Sequence, residues 1–186
     1  MFTEIEGDLI DLALKASFDV IAHGVNCCSI QGAGLAPQMV KIFGTDTFPL
    51  EKITQRANIN KLGTIDYMSY EVKGNTAFRS DYAGANTCDM GKQLIVVNAY
   101  TQFNPGKNLD VEALKLCLRK MNYKFKGAHI GLPLLGCGIA GGIWDYDQLN
   151  KEQLIDNIFN PVPMIKPIVE KELKDCDVTI VHYKPN

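Results

Sequence analysis

Residues 23–39 read HGVNCCSIQGAGLAPQM. This segment concentrates side chains that can do chemistry. His23 can titrate near neutrality, so it can hold a proton or give one up. Asn26 carries an amide that both donates and accepts hydrogen bonds. Gly32 and Gly34, with Ala33 between them and Leu35 and Ala36 after them, leave backbone N–H groups open to a ligand. A second such segment, GCGIAGGIWDYD, covers residues 136–147. Here Gly136, Cys137, Gly138, Ile139, Ala140 and Gly141 form the small-residue run, and Asp145 and Asp147 follow as carboxylates. Consecutive N–H groups in such loops, with a helix N-terminus behind them, attract anions. Two cradles point to a diphosphate or to several phosphates. Each, taken alone, also fits a tight strand-to-helix turn.

Elements of a definite kind are needed to position these loops. FTEI reads as an opening strand, and DLIDLALKA as a short helix with Leu9 and Leu12 on one face. DVIAHGVN is a buried strand rich in Val and Ile. GLAPQMVKIFG is a helix with Pro37 in its first turn and Gly44 at its end. LGTIDYMSY and QLIVVNAYTQ read as strands, and residues 70–92 include a polar surface excursion between them. DVEALKLCLRKMNYKF is the clearest helix, with Asp110 as cap and Val111, Leu114, Leu118, Met121 and Phe125 at helical spacing. AHIGLPLL is another apolar strand. Two helical segments split by NPVP and a last strand, DVTIVHY, complete the chain. Strands alternating with helices imply one domain over 1–186, a three-layer α/β/α sandwich with a mixed, largely parallel central sheet. In such sheets ligands bind beyond the carboxyl ends of strands, where both glycine loops lie.

Bulk properties narrow the function classes. The chain has 186 residues, is 46% hydrophobic and 22% charged, and carries a formal net charge of −2. That composition suits a globular protein and argues against general nucleic-acid binding, which shows a basic footprint. The acidic start MFTEIEGDLIDL is unlike a secretory leader, and no apolar run reaches the ~20 residues of a membrane span. The cytoplasm is the expected compartment. Cys27, Cys28, Cys88, Cys117, Cys137 and Cys176 are scattered. Without a secretory context they do not suggest a disulfide framework, and without C-x-x-C and a His at the spacing of a zinc motif they do not suggest a zinc site. No P-loop motif occurs. GAGLAP lacks the third glycine of a dinucleotide fingerprint and the acidic strand end that follows one, which counts against a nicotinamide-dependent oxidoreductase.

The loops and their flanks resemble the macro domain family of ADP-ribose-binding modules. The resemblance runs through GDLIDLA, DVIAHGVNC, QGAGLA, LPLLGCGIAGGIW and the terminal VTIVHY, in that order. It implies that Asp8, beside Leu9, reads the adenine amino group, although Asp8 also suits a helix cap. It implies that Asn26 holds the distal ribose, although Asn is common in turns. Gly32 to Ala36 and Gly136 to Gly141 would clamp the diphosphate and ribose. An aromatic after the last strand would stack on adenine. Tyr183 is the candidate, with His182 one residue away.

His23, placed as H-x-x-N-C before a glycine loop, resembles the branch that removes phosphate from ADP-ribose 1″-phosphate. There it would donate a proton to the leaving oxygen or stabilise the phosphate; a core histidine is the other reading. Asp145 would activate water or orient His23, although DYDQL also suits a helix cap. A lysine–aspartate branch that cleaves ADP-ribose from protein carboxylates fits less well, because Ala140 stands where its aspartate would be. The expected ligand is ADP-ribose or ADP-ribose 1″-phosphate, with ADP-ribosylated protein as a further partner and no metal or cofactor required. A non-catalytic reader and an ADP-ribosyl hydrolase acting on protein or nucleic acid remain the alternatives.

Overall fold

The computed structural model describes residues 1–50, 57–80, 91–159 and 161–184. Strand β1 (Phe2–Gly7) leads into helix α1 (Leu9–Leu14), whose first turn is capped by Asp8. Strand β2 (Val20–Asn26) ends in the first glycine loop, and helix α2 (Ala36–Phe43) follows. Gly44 stops α2 in the left-handed region at φ 60°, where an L side chain is costly. Strands β3 (Ile65–Lys73), β4 (Thr76–Arg79) and β5 (Lys92–Gln102) precede helix α3 (Val111–Lys124). Strand β6 (His129–Leu132) leads into the second loop. Helices α4 (Lys151–Phe159) and α5 (Ile165–Glu172) and strand β7 (Asp177–Tyr183) complete the order.

Among the described residues the strands form one seven-stranded sheet in the order β1-β7-β6-β2-β5-β3-β4. The first five of these run parallel, and β3 and β4 are antiparallel. The expected mixed, largely parallel α/β/α sandwich is what the chain forms. The order differs from the 3-2-1-4-5-6 of a doubly wound dinucleotide fold. Strand alternation divides the core in two. Val20, Ala22, Val97 and Ile130 pack under α3 and α5 with Leu114, Leu118 and Val169. Ile21 and Val96 point the other way and pack under α1 and α2 with Ile10, Met39 and Phe43.

Two local expectations need correction. Residues 70–80 are not a surface excursion. β3 runs on to Lys73 with Tyr70 and Val72 buried, and β4 returns beside it as an edge strand. The rest of that segment, including Cys88, lies outside the described residues. AHIGLPLL is a strand only as far as Leu132; Leu134 and Leu135 belong to the loop beyond it, with Leu135 still in the core. No described helix is long and apolar enough to cross a membrane.

Candidate functional site

All five parallel strands end on the same edge, so the segments after β2, β5, β6 and β7 gather there. Asn26 shapes the first of them. Its Oδ1 accepts from the N–H of Cys28 (3.1 Å) and of Ile30 (3.2 Å), and its Nδ2 donates to the Ile30 carbonyl at 2.6 Å. Ser29 is thereby held at φ 60°, a conformation few non-glycine residues adopt. From beneath, the buried Lys61 donates to Ser29 Oγ at 2.6 Å, and its ammonium lies 5.5 Å over the Tyr100 ring. The chain then passes through Gly34, at φ 64°, into α2.

The second loop is a compact turn. Gly142 N–H donates to the Gly136 carbonyl at 2.8 Å, and Gly141 N–H to Gly138 at 3.0 Å. A Cβ at Gly142 would lie 2.7 Å from that Gly136 oxygen, so only glycine fits. Trp144, buried just beyond, anchors the loop by donating to Glu4 Oε2 at 3.3 Å. Glu4 also accepts from Lys166 of α5 (2.5 Å) and is paired with His182 of β7 (2.6 Å). Burial pushes the Glu4 pKa up, but Lys166, His182 and Trp144 together outweigh it and hold the carboxyl below its ordinary range.

The two loops face each other. A Cβ on Gly34 would sit 3.4 Å from Ile139 Cδ1, so the loops meet across this gap. Between them and the strand ends lies a cavity of about 590 Å³, within the range of small-molecule sites. Its walls include Gly32, Ala33, Gly34, Leu35 and Ala36 from one loop and Gly136, Cys137, Gly138, Ile139 and Ala140 from the other. His23, Asn26 and Tyr183 line it as well.

No family model matches the sequence. A protein of Enterobacteria phage T4, described as an uncharacterized 17.5 kDa protein in the tk-vs intergenic region, is 34% identical over 145 residues, covering 76% of this chain and 81% of the phage protein. The chain belongs to the family of this phage protein. Solved structures supply the fold's name. The macrodomain of Thermus aquaticus DarG matches over 100% of this chain and 99% of its own, with TM-score 0.56 and 18% identity. Thermosipho africanus DarTG, solved in complex with ADP-ribose, matches over 99% of this chain and 41% of its own, with TM-score 0.61 and 15% identity. The fold is the macrodomain fold.

Within this fold the candidate residues take different places. Asp8 accepts from the N–H groups of Ile10 (2.8 Å) and Asp11 (3.0 Å), both on Oδ1. It follows Gly7, which pairs with Tyr183, so it stands beside the strand end that carries the exposed tyrosine. Neither Asp8 nor Leu9 is among the cavity-lining residues, and Leu9 is buried in the core. Gly141 turns away from the cavity; a Cβ there would strike the Lys107 side chain at 2.3 Å. Asp145 does not line the cavity either, and lies 3.9 Å from Lys166.

His23 is only 2% exposed, and its Nε2 lies 2.7 Å from Asn98 Oδ1. Burial pushes its pKa down to about 4, with the Asn98 bond pulling the other way. The ring is therefore neutral at pH 7 and has no imidazolium proton to give. Burial also raises the Cys137 thiol to about 12, with Asp145 adding to the effect, so this cysteine is no thiolate at neutral pH. Sequence reasoning missed Gln31, Thr101, Gln102, Pro105 and Gly106 of the cavity wall. Thr101 and Gln102 end β5, Pro105 and Gly106 follow it, and the turn-like NPG at 104–106 was the available signal for this end of the strand.

Proposed function

We propose that this protein binds ADP-ribose in the cavity at the carboxyl edge of its sheet. The observation that carries this reading is the pair of glycine loops meeting across one cavity, where Gly32, Ala33, Gly34, Gly136, Gly138 and Ala140 leave the backbone open to a ligand. That lining suits a diphosphate flanked by sugars. Thermosipho DarTG, which shares the fold, holds ADP-ribose. In this reading Asp8 uses Oδ2 for the adenine amino group, because both helix N–H groups occupy Oδ1. Tyr183 stacks on the base, and Asn26 holds the loop that faces the distal ribose.

The proposal extends to ADP-ribose 1″-phosphate as substrate. Water attacks the terminal phosphorus, the P–O bond to the ribose breaks, and one proton of that water ends on the ribosyl oxygen as ADP-ribose and inorganic phosphate leave. Because His23 is neutral, it serves this step by accepting a hydrogen bond from the nucleophile or a ribose hydroxyl. The placement of Asp145 outside the cavity lining favours a second reading, a reader that captures ADP-ribose, free or on protein, without turnover. ADP-ribosyl hydrolysis by a lysine–aspartate pair finds less support, since Ala140 lines the cavity at the aspartate's place.

Calorimetry with ADP-ribose and phosphate release from ADP-ribose 1″-phosphate separate these readings. Binding with turnover that His23→Ala abolishes supports the phosphatase. Binding with an intact phosphomonoester supports the reader. Release of label from ADP-ribosylated protein or nucleic acid would put hydrolase chemistry in their place, and no binding of ADP-ribose sinks all of them.

A further inference from the structure

A buried polar relay runs under the first loop. Asn98 is fully buried on β5, and its Nδ2 donates to the Thr45 carbonyl at 2.9 Å. A backbone carbonyl only accepts, so the amide has one orientation, with Oδ1 turned to His23. An amide oxygen also only accepts. The hydrogen between them at 2.7 Å must therefore sit on His23 Nε2. Thr45, itself buried, donates from Oγ1 to Gln31 Oε1 at 2.7 Å. Two buried nitrogens then remain without a hydrogen-bond partner among the described residues, His23 Nδ1 at one end and Gln31 Nε2 at the other. Both belong to residues of the cavity wall. The relay ends in an acceptor on one side and a donor on the other. A buried polar atom without a partner is costly, and a ligand hydroxyl is a chemical group that satisfies either end.

We propose that Asn98 is a positioning residue that fixes His23 as the Nε2–H tautomer, so that the bare Nδ1 accepts a hydrogen bond from a hydroxyl of the bound ribose. This rests on the cavity being an ADP-ribose site. The role differs from proton donation, which needs a hydrogen on the nitrogen that faces the ligand. The neutral state of the buried ring agrees with it.

Nitrogen-15 NMR of the uniformly labelled full chain at pH 7 tests the assignment, with calorimetry on the same sample. In the free protein the expected spectrum has His23 protonated at Nε2 and unprotonated at Nδ1. Saturation with ADP-ribose is expected to shift the Nδ1 resonance towards the hydrogen-bonded range. A ring protonated at Nδ1, or at both nitrogens, overturns the role of Asn98. An unchanged Nδ1 resonance in a sample that calorimetry shows to be saturated overturns the acceptor role alone. No binding at all removes the ADP-ribose reading, and with it the acceptor role, while the free-protein tautomer still decides the part played by Asn98. Asn98→Ala is expected to give mixed tautomers and about fivefold weaker ADP-ribose binding, the loss of roughly one hydrogen bond. If that variant does not fold, the wild-type spectra decide the question.

Discussion

The amide of Asn26 makes three hydrogen bonds to the turn that follows β2, and the residue is 6% exposed. Such an amide contributes to the fold whether or not a ribose is bound. Asn26→Ala is expected to lower unfolding free energy by about 1–3 kcal/mol, since it leaves buried backbone groups without partners. Urea denaturation of the free protein measures this, and ADP-ribose affinity is expected to fall with it as the loop loosens. An unchanged midpoint with lost affinity would place the amide on the ligand instead. The residue types of this stretch were legible in the sequence because they are wrong for a core strand. The partners of its histidine were not. Asn98 lies 75 positions away, and only the pairing of β2 with β5, His23 against Asn98, brings the two together. A lone His–Asn pair at that separation carries no local signal.

At the scale of elements, the glycines of the two loops do different work. Gly142 abuts the Gly136 carbonyl, whereas Gly32 and Gly138 have nothing within 4 Å of an added Cβ. Gly142→Ala is therefore expected to distort the second loop and lower the melting temperature. Gly32→Ala and Gly138→Ala are expected to leave melting near wild type while weakening ADP-ribose by roughly tenfold, about 1.4 kcal/mol, by keeping the phosphates off the backbone. Thermal melting beside calorimetry checks both halves, and full affinity in both of the latter variants would move the ligand away from these loops. The Glu4 cluster supports the second loop from behind. Glu4→Gln weakens its tie to Lys166 and His182, and the expected cost is within about 1 kcal/mol because the carboxylate is partly exposed. Periodicity made α3 and the buried strands readable. It failed at β4, an edge strand of Thr76–Arg79 with no buried position, and at the PLL after Leu132, where Leu135 fills the core without a ladder.

For the whole molecule, the buried titratable groups set limits on both sides of neutrality. His23 has its pKa depressed from the ordinary 6.5 to about 4. Between those values the unfolded chain takes up a proton that the folded chain refuses, so stability falls as pH falls from about 6.5 to about 4. The full loss from this one group is on the order of 3 kcal/mol. Cys117 and Cys137 behave in the opposite sense. Burial raises both thiols from 9.0 to about 12. Above pH 9 the unfolded chain releases protons that the folded chain keeps, so stability falls as pH rises from about 9 to about 12. These groups together predict a plateau of maximal stability between about pH 6.5 and pH 9, measured as urea midpoints across the range. His23→Gln removes the histidine's share of the acid limb and leaves the alkaline limb in place, whatever it does to the overall height of the curve. An acid limb between pH 6.5 and 4 of the same steepness in that variant would show that other groups carry it, and that the His23 ring does not resist protonation in the folded chain.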